Sequence, residues 1–106
     1  MTTTREVLIA AKALIDTPEK WCQGAYMRDR NGARCCLTAK DAVKWCGLGA
    51  IGAVTCSHSE YSEAINLLNR AVPVGHGSPY FVWQDAPGRT HAEVMAAFAE
   101  AIRRAG

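Results

Sequence analysis

The sequence lacks the long hydrophobic runs that a membrane-spanning segment needs. No window reaches the roughly 18 uninterrupted apolar residues of such a span. The first sixteen residues also lack the apolar stretch and small-residue cleavage site of a signal peptide, and they carry acids at Glu6 and Asp16. We therefore expect a cytoplasmic protein that does not bind membranes.

An excess of one charge is also missing. Twelve Lys and Arg against ten Asp and Glu give a formal net charge of +2, which is too small to predict nucleic-acid binding by itself. Apolar residues make up 49% and charged residues 21% of the chain, and this balance excludes disordered and fibrous classes. At 106 residues, we expect a single domain over residues 1–106.

The cysteine spacings of a secreted disulfide scaffold or a zinc site are absent too. The cysteines are adjacent or about ten apart, whereas structural zinc sites usually pair ligands two to four residues apart. An odd number of cysteines in a cytoplasmic protein favours free thiols. We predict no metal and no cofactor; the weak alternative is a zinc site drawn from Cys35, Cys36, Cys46, Cys56 and His58.

Four helices and one hairpin are indicated by periodicity and capping. Thr3 and Glu6 form a capping-box pattern before a helix over 4–15, and Thr90 and Glu93 do the same before the last helix. A third helix is expected over 59–72. The Asn31-Gly32 pair is typical of a hairpin turn and predicts strands over about 21–28 and 33–36.

The remaining helix is predicted to start after a cap at Thr38 and to continue to about residue 54. Its apolar residues almost encircle it, so it should lie at the centre of the fold. Small residues recur along one side, which would let a neighbouring backbone approach closely: Ala42, Cys46, Gly49, Ala53 and Cys56. The predicted class is α+β, mainly α, with about four helices around this central small-residue-rich helix and one β-hairpin.

Large apolar side chains should fill the interior between these elements. The Pro73–Pro79 segment has the composition of a loop, and the Tyr80–Trp83 run after it is too short to classify as strand or helix. The predicted core comprises Trp21, Trp45, Leu48, Ile65, Leu68, Trp83, Val94 and Phe98.

Three short blocks carry a resemblance to a known family: WCQGA from Trp21, AVKWCGLGAIGA from Ala42 and WQDAPGRTHAEV from Trp83. With these blocks the chain resembles an uncharacterised family of small bacterial and phage proteins, from Ala11 to about Ile102. The resemblance implies a compact domain with a shared core in a phage or mobile-element setting. It implies no reaction and no catalytic residues.

The KWC triplet occurs twice, at Lys20 and Lys44, and suggests two interpretations. As an enzyme, the protein would use the Cys22 thiolate with His91 as base and Asp85 to orient it. As a packed protein, it would bury both cysteines beside tryptophans, since free cysteine is among the most buried residue types. We favour burial, with the first triplet opening a strand and Cys46 in the middle of a helix, so that the triplet is not a structural repeat.

Partner binding is the remaining functional class. The hairpin sequence RDRNGAR could contact phosphates. The Tyr80–Trp83 run could form an exposed aromatic patch or, as we favour, close the core over the second helix. The start of the last helix could attract an anion, although we favour plain capping there. The candidate residues are Arg28, Arg30, Arg34, Tyr80, Phe81, Arg89 and His91. The favoured function is a non-enzymatic interaction module with a protein partner, a host macromolecule; a cysteine- and histidine-dependent enzyme and a nucleic-acid binder are the alternatives.

Overall fold

A computed structural model describes residues 3–35, 40–72 and 79–106 of the chain. Helices dominate, and a small antiparallel sheet adds the β component, which confirms the α+β, mainly α class. No helix in the described ranges is long and apolar enough to cross a membrane. The elements are α1 (Thr4–Leu14), a 3₁₀ turn (Pro18–Lys20), β1 (Met27–Asp29), β2 (Arg34–Cys35), β3 (Ala42–Trp45), α2 (Gly47–Val54), α3 (His58–Ala71), α4 (Tyr80–Asp85) and α5 (His91–Ala105).

The first and last helices begin where the sequence predicts. Both predicted capping boxes form: the Thr3 and Thr90 side chains accept the backbone N–H of Glu6 and Glu93, and each glutamate accepts the cap's own N–H. These bonds satisfy donors that a helix start otherwise leaves free. Helix α3 begins one residue earlier than predicted, because Ser57 caps it through a bond from the Glu60 N–H.

The predicted hairpin exists, and its first strand is shorter than predicted. Met27 pairs with Cys35 and Arg28 with Arg34. Gly32 adopts a φ of 81° in the turn, a conformation that glycine reaches without steric cost. The Asp29 carboxylate accepts the N–H groups of Asn31 and Ala33 at 2.9 and 3.0 Å, so the turn is held by its own side chain.

The prediction of one long central helix is wrong at its N-terminal end. Residues 42–45 form β3, which pairs antiparallel with β1 and gives the strand order β2-β1-β3. Helix α2 begins only at Gly47, and Cys46 is its N-cap instead of a mid-helix residue. A short apolar run reads alike as helix or strand, and pairing with β1 makes residues 42–45 a strand. The predicted cap at Thr38 lies outside the described residues.

The placement predicted for the two KWC triplets is also wrong, because the first does not open a strand and the second does not lie in the middle of a helix. Trp21 and Trp45 form a parallel β-bridge, and the Cys22 N–H donates to the Trp45 carbonyl at 3.1 Å. The two triplets therefore lie side by side, and the second leads directly into α2.

The core lies between α1, α2, α3 and α5. The start of α2, from Gly47 to Ile51, is buried, so the prediction of a central second helix holds for this part. Among the predicted core residues, Leu48, Leu68, Val94 and Phe98 are buried. Four others pack against the cluster while partly exposed: Trp21, Trp45, Ile65 and Trp83.

Candidate functional site

A cleft of about 300 Å³ opens beside the N-terminal end of α2. Three surfaces enclose it: the segment Gly24–Tyr26 that leads into β1, the edge strand β2, and one side of α4. We name it the aromatic cleft, after Tyr26 and Phe81, two of the residues that line it. Its lining residues are Gly24, Ala25, Tyr26, Arg34, Cys35, Cys46, Leu48, Phe81, Gln84 and Asp85.

Close backbone packing brings the first wall of the cleft against α2. The Cys46 N–H donates to the Tyr26 carbonyl at 3.0 Å. A methyl group built on Gly49 would lie 1.9 Å from that same carbonyl oxygen, so any side chain there would collide with backbone. The predicted close approach along the small-residue side is therefore confirmed at Gly49, and its partner is the Tyr26 segment.

The buried Gln84 side chain joins α4 to the start of α2. Its Oε1 accepts the Gly47 N–H at 2.6 Å and the Tyr80 hydroxyl at 3.1 Å, and its Nε2 donates to Asp85 at 2.9 Å. Gln84 is 1% exposed, and a buried amide needs such partners. The sequence analysis did not identify this role of Gln84. The sequence shows only a polar residue directly after the apolar Tyr80–Trp83 run.

Gln23 attaches the Gly24–Tyr26 wall to α4. Its Nε2 donates to the carbonyls of Gln84 and Ala86 at 2.6 and 3.3 Å. Next to it, the Gly24 N–H donates to the Asp85 carboxylate at 3.2 Å. The WCQGA and WQDAPGRTHAEV blocks thus meet at the aromatic cleft, and the second KWC block supplies its floor.

The Cys22 and Cys46 thiols are buried, as predicted. Burial, with a smaller contribution from Cys46 nearby, raises the pKa of Cys22 from 9.0 to about 11. Burial also raises the pKa of Cys46, even though its sulfur accepts the Gly49 N–H at 3.3 Å. A helix N-terminus usually favours a thiolate, but desolvation outweighs that effect here, so both thiols stay protonated at neutral pH.

The three residues of the enzyme hypothesis each have other partners. The Cys22 thiol donates to the Ala25 carbonyl at 3.7 Å, and one Asp85 oxygen accepts the bonds from Gly24 and Gln84. His91 Nε2 lies 2.7 Å from the Ile15 carbonyl, which requires that nitrogen to donate. Only Asp85 of the three lines the aromatic cleft.

Some of the arginines that are candidates for partner binding hydrogen-bond to the protein itself, and others do not. The Arg28 guanidinium donates to the carbonyls of Gly32 and Gln23 at 2.9 and 3.0 Å, so it braces the hairpin. Arg30 and Arg34 are exposed, and within the described ranges neither guanidinium has a hydrogen bond or ion pair.

Arg89 is also held in place. Its guanidinium carbon lies 4.1 Å from the centre of the Trp83 ring, its Nε donates to the Trp83 carbonyl, and it pairs with Glu93 at 2.8 Å. Because Glu93 also completes the capping box of α5, the start of this helix is occupied by the chain's own acid.

The Tyr80-Phe81 pair is split between interior and surface. Tyr80 is fully buried, as the core interpretation predicts, and its ring contacts those of Trp83 and Phe98. Phe81 is 48% and Val82 46% exposed. The exposed apolar surface at this end of the molecule is therefore formed by Phe81, Val82 and, across the cleft, Tyr26.

The residues of the zinc alternative are dispersed. Cys35 and Cys46 line the aromatic cleft, whereas Cys56 and His58 border a separate depression after α2. Within the described part of the chain, no three His, Cys, Asp or Glu side chains are grouped so that they could hold a metal ion. Cys36 lies outside that part.

Comparison with known proteins places the chain in one family. No curated protein and no solved structure matches the chain. A sequence model of the family of unknown function DUF6197 matches residues 1–104, a span that includes all three blocks and every described residue of the aromatic cleft. The chain therefore belongs to DUF6197, a family of unknown function.

Proposed function

We propose that the protein is a small non-enzymatic binding module, and that a protein of the host cell binds to it at the aromatic cleft. The observation that carries the proposal is the pair of half-exposed rings, Tyr26 and Phe81, lining one cleft above the buried Leu48. Aromatic anchors beside a concave site are typical of the energetic centres of protein interfaces. Their exposure, 50% and 48%, leaves apolar area that a partner would remove from water.

Rigidity of the cleft floor supports a binding role. Gly49 is wedged against the Tyr26 backbone, and the Gln84 side chain joins α4 to the start of α2. A preorganised site loses less conformational entropy on binding than a mobile one. The raised pKa of both buried thiols gives no support to nucleophilic catalysis at the same place.

Site-specific photo-crosslinking in the bacterial host tests the proposal. A benzophenone amino acid would replace Tyr26, Phe81 or, as a control, Ile9. Ile9 is an exposed apolar residue on α1 with similar exposure, 45%. We expect the same crosslinked protein from positions 26 and 81 and none from position 9.

A pair of further variants controls for nonspecific crosslinking. In a chain with the crosslinker at 26, Phe81→Asp should remove the product, whereas Ile9→Asp should leave it. Equal products from all three positions, or products at 26 and 81 that differ from each other, would refute docking at the cleft.

Nucleic-acid binding through the hairpin stays a second candidate because Arg30 and Arg34 are exposed and unpaired within the described residues. Filter binding at two salt concentrations tests it. Phosphate contacts release counterions, so affinity must fall steeply as salt rises. Arg30→Gln should weaken that affinity, whereas it should not change crosslinking at the aromatic cleft.

A further inference from the structure

The aromatic cleft has two charged lining residues, and the protein itself satisfies only one of them. One Asp85 oxygen accepts hydrogen bonds from the Gly24 N–H and the Gln84 side chain. The Arg34 guanidinium has no hydrogen bond or ion pair within the described residues, although it lines the same cleft. The nearby Arg28, by contrast, donates to two carbonyls. Of the two charged groups in the cleft, the one without a hydrogen-bond partner among the described residues is therefore the positive one, Arg34.

Most of the other residues that line the cleft with Arg34 are apolar. The Tyr26 and Phe81 rings border the cleft, and Leu48, which is 7% exposed, lies at its floor. A guanidinium beside such a surface binds a carboxylate well, because charge-assisted and bidentate hydrogen bonds strengthen where water is partly excluded. A ligand that complements the cleft thus combines one negative group with one apolar group.

We propose that the aromatic cleft recognises the C-terminal residue of a partner protein when that residue is apolar. Arg34 binds the terminal carboxylate, and the apolar side chain packs between Tyr26 and Phe81 onto Leu48. A cleft of about 300 Å³ is at the lower end of ligand-site volumes and fits one large side chain. A C-terminal apolar residue is the simplest peptide group that carries both features on one Cα. This inference rests on the proposed binding function.

Asp85 limits which negatively charged ligands the cleft can bind. Its carboxylate lies in the same cleft and repels a second negative group, so the site disfavours polyanions such as nucleic acid. A peptide end brings only one carboxylate into the cleft and therefore meets less of this repulsion.

Small probes measured by two-dimensional amide NMR test the inference. N-acetylphenylalanine carries the carboxylate and the ring, and N-acetylphenylalaninamide differs only by the missing charge. With about 15 non-hydrogen atoms, the first probe should bind with a Kd of about 1 mM. It should shift the amide signals of Tyr26, Leu48 and Phe81, and the amide probe should bind about tenfold more weakly.

Arg34→Gln should weaken binding of the acid about tenfold and leave the amide probe unchanged. Arg30→Gln removes a neighbouring exposed arginine that does not line the cleft and should change neither. Both positions are exposed, and the same spectra report whether each variant is folded.

Three outcomes would overturn the inference. Equal affinity for the two probes would show that the carboxylate is not recognised, although binding through the aromatic residues would be retained. Tighter binding of N-acetyl-aspartyl-phenylalaninamide would assign the carboxylate to an internal acidic side chain instead of a chain end. No shifts at the cleft at about 10 mM of any probe, well above the expected Kd, would exclude this ligand chemistry. Failure of the binding function itself is seen separately, in the crosslinking at positions 26 and 81.

Discussion

Gly49→Ala separates close packing from helix propensity, because the two effects have opposite signs. In an ordinary helix position this change stabilises by about 1 kcal/mol. Here the new methyl carbon would lie 1.9 Å from the Tyr26 carbonyl oxygen and 2.7 Å from its carbon. Both are backbone atoms, so a rotamer change cannot relieve the collision.

The expected cost follows from what must move. Overpacking of this kind costs about 1 to 3 kcal/mol, and we place a backbone collision at the upper end. The shift also strains the hydrogen bond from the Cys46 N–H to the Tyr26 carbonyl, which contributes about 1 kcal/mol. After the propensity gain is deducted, we expect the free energy of unfolding to fall by about 2 to 3 kcal/mol.

Urea denaturation followed by circular dichroism measures this loss, and the melting temperature should fall by about 10 °C. Ala53→Gly provides the matched control, because Ala53 is an exposed residue of the same helix. It should cost only about 1 kcal/mol through propensity. A Gly49→Ala protein as stable as the wild type would refute the close approach on which the cleft wall depends.

Three further predictions concern the same structure. Gln84→Leu leaves the Gly47 N–H and the Tyr80 hydroxyl without their acceptor, so urea denaturation should show that the free energy of unfolding falls by about 2 to 4 kcal/mol. Tyr80→Phe should then destabilise the Gln84→Leu protein less than it destabilises the wild type. Strictly additive effects of the two mutations would contradict the hydrogen bond between these side chains. Thr90→Ala should lower the free energy of unfolding by about 1 kcal/mol by removing the α5 cap, whereas Thr90→Ser should not. The pKa of Cys22 is raised from 9.0 to about 11 in the folded protein, so the protonated thiol stabilises the fold fully below pH 9, and this contribution is lost as pH rises towards 11. Between pH 9 and 11 the urea midpoint should therefore fall less in Cys22→Ala than in the wild type. Identical pH profiles of the two proteins would contradict the burial of Cys22.

Local sequence signals predicted the parts of the fold that local chemistry decides. Thr3 and Thr90 cap helices because their side-chain oxygens satisfy nearby N–H groups, and the Asn31-Gly32 turn closes the hairpin for a similarly local reason. Strand β3 was missed because its pairing partner, β1, lies more than ten residues away along the chain. Tertiary pairing decides such short apolar runs.

The site was predicted only in part. Arg34 and Phe81 were proposed from the basic and aromatic composition of their segments, and the structure brings both to the aromatic cleft. Tyr80 has the same character as Phe81, yet it turns inward, because its hydroxyl finds an acceptor in Gln84. Gln23 and Gln84 were not recognised, since their bonds join segments about sixty residues apart, a separation that no local pattern reports.

Both the fold and the cleft depend on the junction at Cys46, where β3 ends, α2 begins and the Tyr26 backbone packs against it. Alkylation rates measured thiol by thiol, by mass spectrometry of the native protein at pH 8, test this junction most directly. Cys46 and Cys22 are 4% and 8% exposed, whereas Cys56 is on the surface. Reaction at the two buried thiols requires opening of the fold, so it should be at least about a thousandfold slower than at Cys56. Urea should equalise the rates. A Cys46 thiol that reacts as fast as Cys56 in the native protein would contradict the account.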